Sequence, residues 1–231
     1  MIDNKKVLAI VPARSGSKGL PGKNLKEING IPLVAYPIIS AEKSSYIDNV
    51  LLTTNCPEIA KVGRKYGALT PFIRPEHLAS DTALRSEVIL HALDNFEKCD
   101  ILIFLEPTSP LTTDDDINKA LDFFVSKNCR SLVSVAEGFT HHPEYAVTFT
   151  GDNVLRPYLK DSFDDISINR QDLDEVYFFD GSLYISDVET FKLKKEFYHS
   201  QTRGIVLDDY KSLEIDSSFD LEMAKFILKN E

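Results

Sequence analysis

The stretch at residues 9–25, AIVPARSGSKGLPGKNL, joins a short apolar run to a loop rich in glycine and cations. The apolar run covers residues 7–11 and ends at Pro12, which predicts a buried first strand. Glycines in the loop let backbone N–H groups approach phosphate oxygens, and the cations Arg14, Lys18 and Lys23 neutralise phosphate charge. The stretch therefore predicts a strand followed by a polyphosphate-binding loop, with an ordinary surface loop as the alternative.

Short apolar runs alternate with helical patterns along most of the chain. The predicted strands lie at 7–11, 49–53, 68–73, 101–105, 131–135, 176–185 and 204–207. The predicted helices lie at 33–44, 57–66, 83–96, 114–125 and 219–228, with Pro37 expected to kink the first helix or to make its start irregular. This α/β alternation predicts a mostly parallel sheet covered by helices on both faces. Because ligands bind beyond the carboxyl ends of parallel strands, the loop 12–24 and the segment 106–111 are expected on one rim.

Length and composition indicate one globular domain, residues 1–231, that carries an insert. The net charge of −10, without a basic stripe, argues against nucleic acid as a partner. Cys56, Cys99 and Cys129 are isolated, which favours free thiols in a cytoplasmic protein over a disulfide or zinc site. We expect no signal peptide and no membrane partner, since no run approaches the ~20 apolar residues of a membrane span.

The glycine-rich loop does not fit two common phosphate motifs. A Walker A loop has a shorter spacing than Gly16 to Gly22 and has Ser or Thr where this chain has Asn24, and the dinucleotide fingerprint lacks its third glycine. Residues 13–25 instead resemble A-R-x-x-S-K-G-L-P-x-K-N-L, the signature of the CMP-sugar synthetases. These are the cytidylyltransferases that activate sialic acid and related nonulosonic acids.

The resemblance covers most of the chain. Further matches lie at residues 74–83, 107–111, 141–143, 170–171, 181–185 and 215–221. It implies a Rossmann-like fold of the nucleotidyltransferase type in which residues 138–175 form a small dimerisation arm, and hence a homodimer. The polar, interrupted sequence of that stretch shows by itself only a departure from the βα rhythm. The aromatic residues 177–179 beyond it are interpreted as core or subunit contacts.

The activity that the resemblance implies is the reaction of CTP with a nonulosonic acid to give a CMP-sugar and pyrophosphate. Arg14 and Lys23 are expected to hold the triphosphate and to stabilise the leaving pyrophosphate, and Asn24 to position the α-phosphate. Pro12 and Ala13 are expected to line the substrate beside Arg14.

Residues 74–83, RPEHLASDTA, contain the expected contacts to the nucleoside. The resemblance makes Arg74 and the backbone near Ala83 candidates for binding cytosine and ribose. Residues 80–82, SDT, are also good helix N-caps, and capping of the following helix is the alternative interpretation.

Glu214 and Asp216 are two carboxylates on an extended segment, separated by one residue, so they point the same way. Near a triphosphate they need a divalent cation to relieve their repulsion, and oxygen ligands suit Mg²⁺. The family pattern D-I-D-x-x-x-D-L matches here with Glu214 in place of its first Asp. Asp216 or a metal-bound water is expected to take the proton of the sugar hydroxyl. Helix capping by Asp216 or Ser217 is the alternative.

The residues assigned to the sugar depart from the family in places. Glu106 stands where the family usually has Gln, and because a carboxylate cannot donate a hydrogen bond when ionised, it is expected to hold metal or to meet a cationic group on the sugar. A solvated carboxylate at the rim is the alternative. Arg170 fits a clamp on the sugar carboxylate. Gly181 and Tyr184 match the strand that lines the sugar pocket. The sugar itself stays open among sialic, legionaminic and amino-substituted ulosonic acids.

Three other functions remain open from the sequence. One is a cytidylyltransferase that acts on an eight-carbon, Kdo-type ulosonate. Another is a different sugar-nucleotide pyrophosphorylase that uses an aldose 1-phosphate. The third is a non-catalytic nucleotide-binding protein of the same fold. Base preference rests on the resemblance alone.

Overall fold

A computed structural model describes residues 1–16, 19–138, 142–166 and 169–230. The strands are β1 (Val7–Pro12), β2 (Glu27–Ile28), β3 (Ile31–Pro32), β4 (Asn49–Thr53), β5 (Ile101–Leu105), β6 (Ser131–Glu137), β7 (Val147–Phe149), β8 (Leu155–Pro157), β9 (Tyr177–Asp187) and β10 (Thr202–Val206). The α-helices are α1 (Ala35–Lys43), α2 (Pro57–Lys65), α3 (Arg85–Asp94), α4 (Asp114–Ser126), α5 (Val188–Lys194) and α6 (Ser218–Asn230).

Six strands form the central sheet in the order β10-β6-β9-β5-β1-β4. β1 pairs in parallel with both β4 and β5, and β10 pairs in parallel with β6. β9 is antiparallel to β5 and to β6. All five residues of β5 are buried, as expected for a strand inside a covered sheet. The predicted mostly parallel sheet is confirmed.

Helices cover both faces of the sheet, which also confirms the predicted architecture. Successive residues of a strand point to opposite faces. Val7, Ala9 and Val11 accordingly pack in one buried cluster with residues of α1, α2 and α4. Leu8 and Ile10 pack in a second cluster with residues of α3 and α5.

The structure corrects several predicted elements. The predicted strand at 68–73 is wrong, because the structure has there a single parallel bridge between Leu51 and Leu69. Pro71 lacks the N–H that a longer ladder would need. The first helix begins at Ala35, so Pro37 lies in the first turn, where its missing N–H costs no helical hydrogen bond. The helix α5 was not predicted.

The predicted arm at 138–175 contains the β7–β8 hairpin and short 3-10 turns. It exposes large apolar side chains, among them Phe149, Tyr158 and Phe163. The neighbouring aromatics at 177–179 are exposed as well, so their interpretation as core residues is wrong for this chain. No helix in the described residues is both long and apolar enough to cross a membrane.

Candidate active site

A cavity of about 450 Å³ opens at the carboxyl ends of β1 and β5. Most of the predicted site residues line it, namely Pro12, Arg14, Lys23, Asn24, Arg74, Ala83, Glu106 and Asp216. Four other predicted residues do not line the cavity, namely Ala13, Gly181, Tyr184 and Glu214. Tyr184 contacts the lining residue Arg85, and Gly181 lies against Glu214. The side chain of Arg170 lies outside the described residues. The loop 12–24 and the segment 106–111 therefore do meet at one rim.

The glycine-rich loop is held by its own hydrogen bonds. The backbone N–H of Ala13 donates to the carbonyl oxygen of Thr53 at 3.0 Å, which extends the β1–β4 ladder into the loop. The side chain of Asn24 is buried and donates to the carbonyl oxygen of Arg14 at 2.9 Å. In this structure Asn24 therefore shapes the loop from inside, and its positioning of the α-phosphate stays a prediction.

Arg14 and Lys23 are paired with carboxylates across the cavity, whereas Lys18 lies outside the described residues. Lys23 donates to the carbonyl oxygen of Ile215 at 2.9 Å and to Oδ1 of Asp216 at 3.0 Å. Arg14 donates to Oδ1 of Asp81 at 2.6 Å. Asp81 is thus an ion-pair partner and not the helix cap of its alternative interpretation, since α3 begins only at Arg85.

The glycine-rich loop also touches the acidic segment through its backbone. A Cβ atom built on Gly19 would lie 2.7 Å from the carbonyl oxygen of Asp216, which is closer than real Cβ contacts come. A side chain at this position would push the two segments apart. The sequence contains a glycine here because the backbones must pass close to each other.

Arg74 reaches the cavity from the side of β4. Its backbone N–H donates to the carbonyl oxygen of Thr54 at 2.8 Å, and its side chain is 4% exposed. Burial, together with the charge of Arg14, lowers the pKa of Arg74 to about 10. Its buried Nε has no hydrogen-bond partner among the described residues. A buried donor of this kind needs a partner from a ligand or water.

The two predicted metal ligands flank a buried anchor. Ile215 is fully buried and its N–H donates to the carbonyl oxygen of Thr108 at 2.8 Å, which fixes the segment beside the loop after β5. Loss of solvent around the Glu214 carboxyl group raises its pKa, and the charge of Asp216 adds to this effect. A cation beside Glu214 would favour its charged form and offset both effects.

Capping of α6 does not occupy the predicted ligands. The backbone N–H groups of Asp216 and Ser217 donate to Oδ2 of Asp220 at 3.0 and 2.7 Å, and the N–H of Asp220 donates back to Oγ of Ser217. The carboxylate of Asp216 is therefore left for Lys23 or a ligand. Within the described residues no group of three or more His, Cys, Asp or Glu side chains is placed to hold a metal ion.

Gly181 lies at an irregular point of β9, where the pairing with β6 changes register. Its φ of +74° is a conformation that favours glycine. A Cβ atom at this position would lie 1.9 Å from Oε1 of Glu214, so the glycine also makes room for that carboxylate. Gly181 thereby leaves space for the side chain of Glu214, and it does not itself line the cavity.

Glu106 follows β5 directly and lies half-buried in the cavity. Burial raises the pKa of Glu106 to about 7, against the opposing charge of Arg85 and with a further contribution from Glu214. Carboxyl groups with such strongly shifted pKa values are concentrated at functional sites.

Arg85 lines the same cavity and was missed from the sequence. It is the first residue of α3, and its Nε lies 3.8 Å from Oε1 of Glu106. Its guanidinium carbon lies 4.5 Å from the ring centroid of Tyr184 and 5.8 Å from that of Phe104. Tyr184 thus reaches the site through Arg85. The available signal was an arginine at the start of a helix that follows the rim loop.

A mostly parallel sheet with a glycine-rich, cationic first loop and an acidic segment across one cavity defines an α/β protein of the nucleotidyltransferase type. The chain belongs to the cytidylyltransferase family, whose sequence profile matches residues 8–227. The resemblance to CMP-sugar synthetases is thereby confirmed.

Individual relatives match over nearly the whole chain. It is 30% identical over 230 residues to CMP-N,N'-diacetyllegionaminic acid synthase of Legionella pneumophila, covering 97% of each chain. It is 31% identical over 225 residues to N-acylneuraminate cytidylyltransferase of Escherichia coli, covering 95% of this chain and 51% of that protein. The solved structure of CMP:2-keto-3-deoxy-manno-octonic acid synthetase complexed with CTP superposes with a TM-score of 0.74 at 15% identity, covering 97% of this chain and 99% of that one. This last likeness supports the fold.

Proposed function

We propose that this chain transfers the cytidylyl group of CTP to the anomeric hydroxyl of a sialic-acid-like nonulosonic acid and releases pyrophosphate. The observation that carries the proposal is the contact of Lys23 with the Ile215–Asp216 segment at the cavity mouth. It brings a phosphate-type loop and an acidic segment together in one site. Relatives that match this chain over nearly their whole length are named for such reactions.

The nucleotide half of the site is formed by cations. Arg14 and Lys23 line the cavity from the glycine-rich loop, where they would hold the triphosphate and neutralise the leaving pyrophosphate. Each must first exchange its present carboxylate partner for phosphate. Asn24 acts in the proposal through the loop backbone that it holds. Arg74, whose buried Nε has no hydrogen-bond partner among the described residues, and Ala83 would bind the nucleoside. Catalysis in this proposal rests on positioning of the substrates and on charge neutralisation.

Glu214 and Asp216 are the residues that would hold Mg²⁺. Their oxygen-only donors suit a hard cation. Burial raises the pKa of Glu214, the charge of Asp216 raises it further, and a bound cation would offset both effects. A bound Mg²⁺ ion supplies charge neutralisation at the reacting phosphate. Asp216 is the carboxylate of this chain that would accept the proton of the attacking hydroxyl, because it lies at the cavity and is not used in helix capping.

The sugar half is assigned to the side of β9. Glu106 and the strand that carries Gly181 and Tyr184 lie there, next to β5 in the sheet. The resemblance assigns a clamp on the sugar carboxylate to Arg170 of the arm. The relatives' names favour acylated nine-carbon acids over the eight-carbon ulosonate.

The arm supports a homodimer. Phe149 is 73% exposed on this chain and several other aromatic side chains of the arm are open to solvent, which makes a second copy a suitable cover. Phe149→Asp, measured by light scattering against the exposed control Phe226→Asp on α6, is expected to give monomers. A monomeric parent protein contradicts this part.

The free thiols of Cys56, Cys99 and Cys129 support a cytoplasmic location. The net charge of −10 supports the absence of a nucleic-acid or membrane partner.

The test is the release of pyrophosphate from CTP and Mg²⁺ with a panel of acids. The panel contains N,N'-diacetyllegionaminic acid, N-acetylneuraminic acid and 2-keto-3-deoxy-manno-octonic acid, and UTP and GTP replace CTP in control reactions. We expect release with CTP and one of the nine-carbon acids. Release only with the octonic acid or with UTP or GTP contradicts the proposal, as does CTP binding without release.

A further inference from the structure

The order of the strands divides the cavity into two halves. Along the rim the sheet runs β4, β1, β5, β9. Arg74 is fixed beside β4, and the glycine-rich loop follows β1. If the nucleotide takes these two positions, the part of the cavity beyond Glu106, towards β9, is left for the acceptor. The inference below rests on the proposed function in this respect.

Arg85 is the cation on the acceptor side. Its guanidinium group lies over the buried ring of Tyr184, whose own place is fixed between β5 and β6. Phe104 lies under the same group. Aromatic contacts of this kind hold a guanidinium in place without using its N–H donors, although Arg85 also has one side-chain hydrogen bond, to Tyr198. Less freedom is therefore lost when the remaining donors bind an anion.

Glu106 is the countercharge of Arg85. Nε of Arg85 and Oε1 of Glu106 are 3.8 Å apart, which is an ion-pair distance and too long for a direct hydrogen bond. The charge of Glu106 therefore attracts the guanidinium group into the cavity, but Nε of Arg85 does not donate a direct hydrogen bond to Glu106. A second carboxylate with bidentate geometry would compete well for this group.

The acceptor of the proposed reaction carries such a carboxylate next to its anomeric carbon. Removing that carboxylate from water requires a paired cation. Arg14 and Lys23 are on the phosphate loop, Arg74 is on the side of β4, and among the described residues that line the cavity Arg85 is the cation that remains. We propose that Arg85 binds the carboxylate of the sugar acid and that it thereby selects acidic sugars.

The experiment compares each sugar acid with its C1 carboxamide, which has the same size and lacks the charge. The probes are N,N'-diacetyllegionaminic acid and N-acetylneuraminic acid, and kcat/KM is measured by pyrophosphate release from CTP. We expect the parent enzyme to prefer the acid by roughly 10- to 100-fold, the strength of a hydrogen-bonded charge. In Arg85→Gln this preference should fall to within about 3-fold with the KM for CTP unchanged, and Arg85→Lys should lie between the two.

Two controls make the outcome decisive. Arg130→Gln, an exposed arginine at the opposite end of the sheet that pairs with Asp187, should keep the full preference. Stabilisation of Arg85→Gln by CTP in a thermal melt shows that the variant folds and binds nucleotide. A preference that survives in Arg85→Gln and collapses in Arg170→Gln overturns the inference. If the parent enzyme releases no pyrophosphate with any acid of the panel, it is the proposed function that fails.

Discussion

Nζ of Lys23 lies 3.0 Å from Oδ1 of Asp216, and the two residues are 193 positions apart in the chain. The lysine side chain is 14% exposed and the aspartate 76%. The pair closes the gap between the loop after β1 and the segment before α6. It therefore keeps a cation of the glycine-rich loop beside a carboxylate of the acidic segment, each neutralising the other.

Replacing Lys23 by Ala removes the pre-organised charge that faces the triphosphate. We expect Lys23→Ala to lower turnover by at least about 100-fold, the scale of losing one such stabiliser. Lys26→Ala is the matched control, since Lys26 lies outside the cavity lining, and it should retain nearly full turnover. Pyrophosphate release under saturating CTP measures both. Unchanged turnover in Lys23→Ala would show that the assigned role is wrong.

A methyl group at Gly19 should separate the loop from the acidic segment. Its Cβ would lie 2.7 Å from the carbonyl oxygen of Asp216, so one backbone must move. We expect Gly19→Ala to lower kcat/KM by about 10- to 100-fold, because small displacements of reacting groups cost this much. Gly16→Ala has no heavy atom within 4 Å of the new Cβ and should have little effect. Equal effects of the two changes would refute the importance of the close approach.

Glu106 should make the stability of the protein depend on pH. Its folded pKa of about 7 lies above its ordinary value of 4.5. Between these values the unfolded chain has lost the proton that the folded protein keeps, so stability falls as the pH rises and levels off above the folded pKa. Glu106→Gln removes this loss, which amounts to at most about 3 kcal/mol.

The measurement is urea unfolding at about pH 5 and about pH 8 in buffer without metal or nucleotide. The gain in unfolding free energy from Glu106→Gln should be larger at the higher pH. Glu222→Gln, on the exposed side of α6, should show no such difference. A gain that is the same at both values of pH argues against a raised pKa.

Lys211 and Asp116 form a buried ion pair at the start of α4. Nζ of Lys211 lies 2.8 Å from both carboxylate oxygens, and both residues are buried. Lys211→Met leaves Asp116 buried without its partner, so we expect a loss of about 3–5 kcal/mol of unfolding free energy. Lys119→Met, which breaks the exposed pair with Asp115 on the same helix, should cause no measurable change. Urea unfolding measures both free energies, which can be compared when the two variants have the same m-value. A similar loss of unfolding free energy in Lys211→Met and Lys119→Met would contradict the prediction.

The sequence was informative wherever a local pattern decides the structure. The run before Pro12 and the run 101–105 are apolar at every position, and both are buried strands of the central sheet. The run 68–73 is interrupted by Thr70 and Pro71, and the proline, a signal that the sequence did contain, lacks the N–H that a longer ladder would need. Helix α5 has seven residues and begins after Asp187, whose carboxylate caps it; so short a helix shows little periodicity.

The site was predictable to the extent that its residues follow strands. Arg14 and Glu106 come directly after β1 and β5, and the rule that ligands bind at the carboxyl ends of parallel strands brings them together. Arg85 was not found, because nothing local to it shows that Tyr184, 99 positions later, would lie under its side chain. Contacts between distant segments of this kind depend on the fold as a whole.

The reversed direction of β9 decides where the arm emerges. Its neighbours β5 and β6 finish at the rim that carries the cavity, whereas β9 begins there. If β9 ran parallel to its neighbours, the arm at 138–175 would have to reach the opposite end of the strands before β9 begins, a full strand length away. One inverted strand thus brings the end of a peripheral segment to the rim that carries the cavity, on the side proposed for the acceptor, and we expect changes in the arm to affect the choice of sugar and not the nucleotide half.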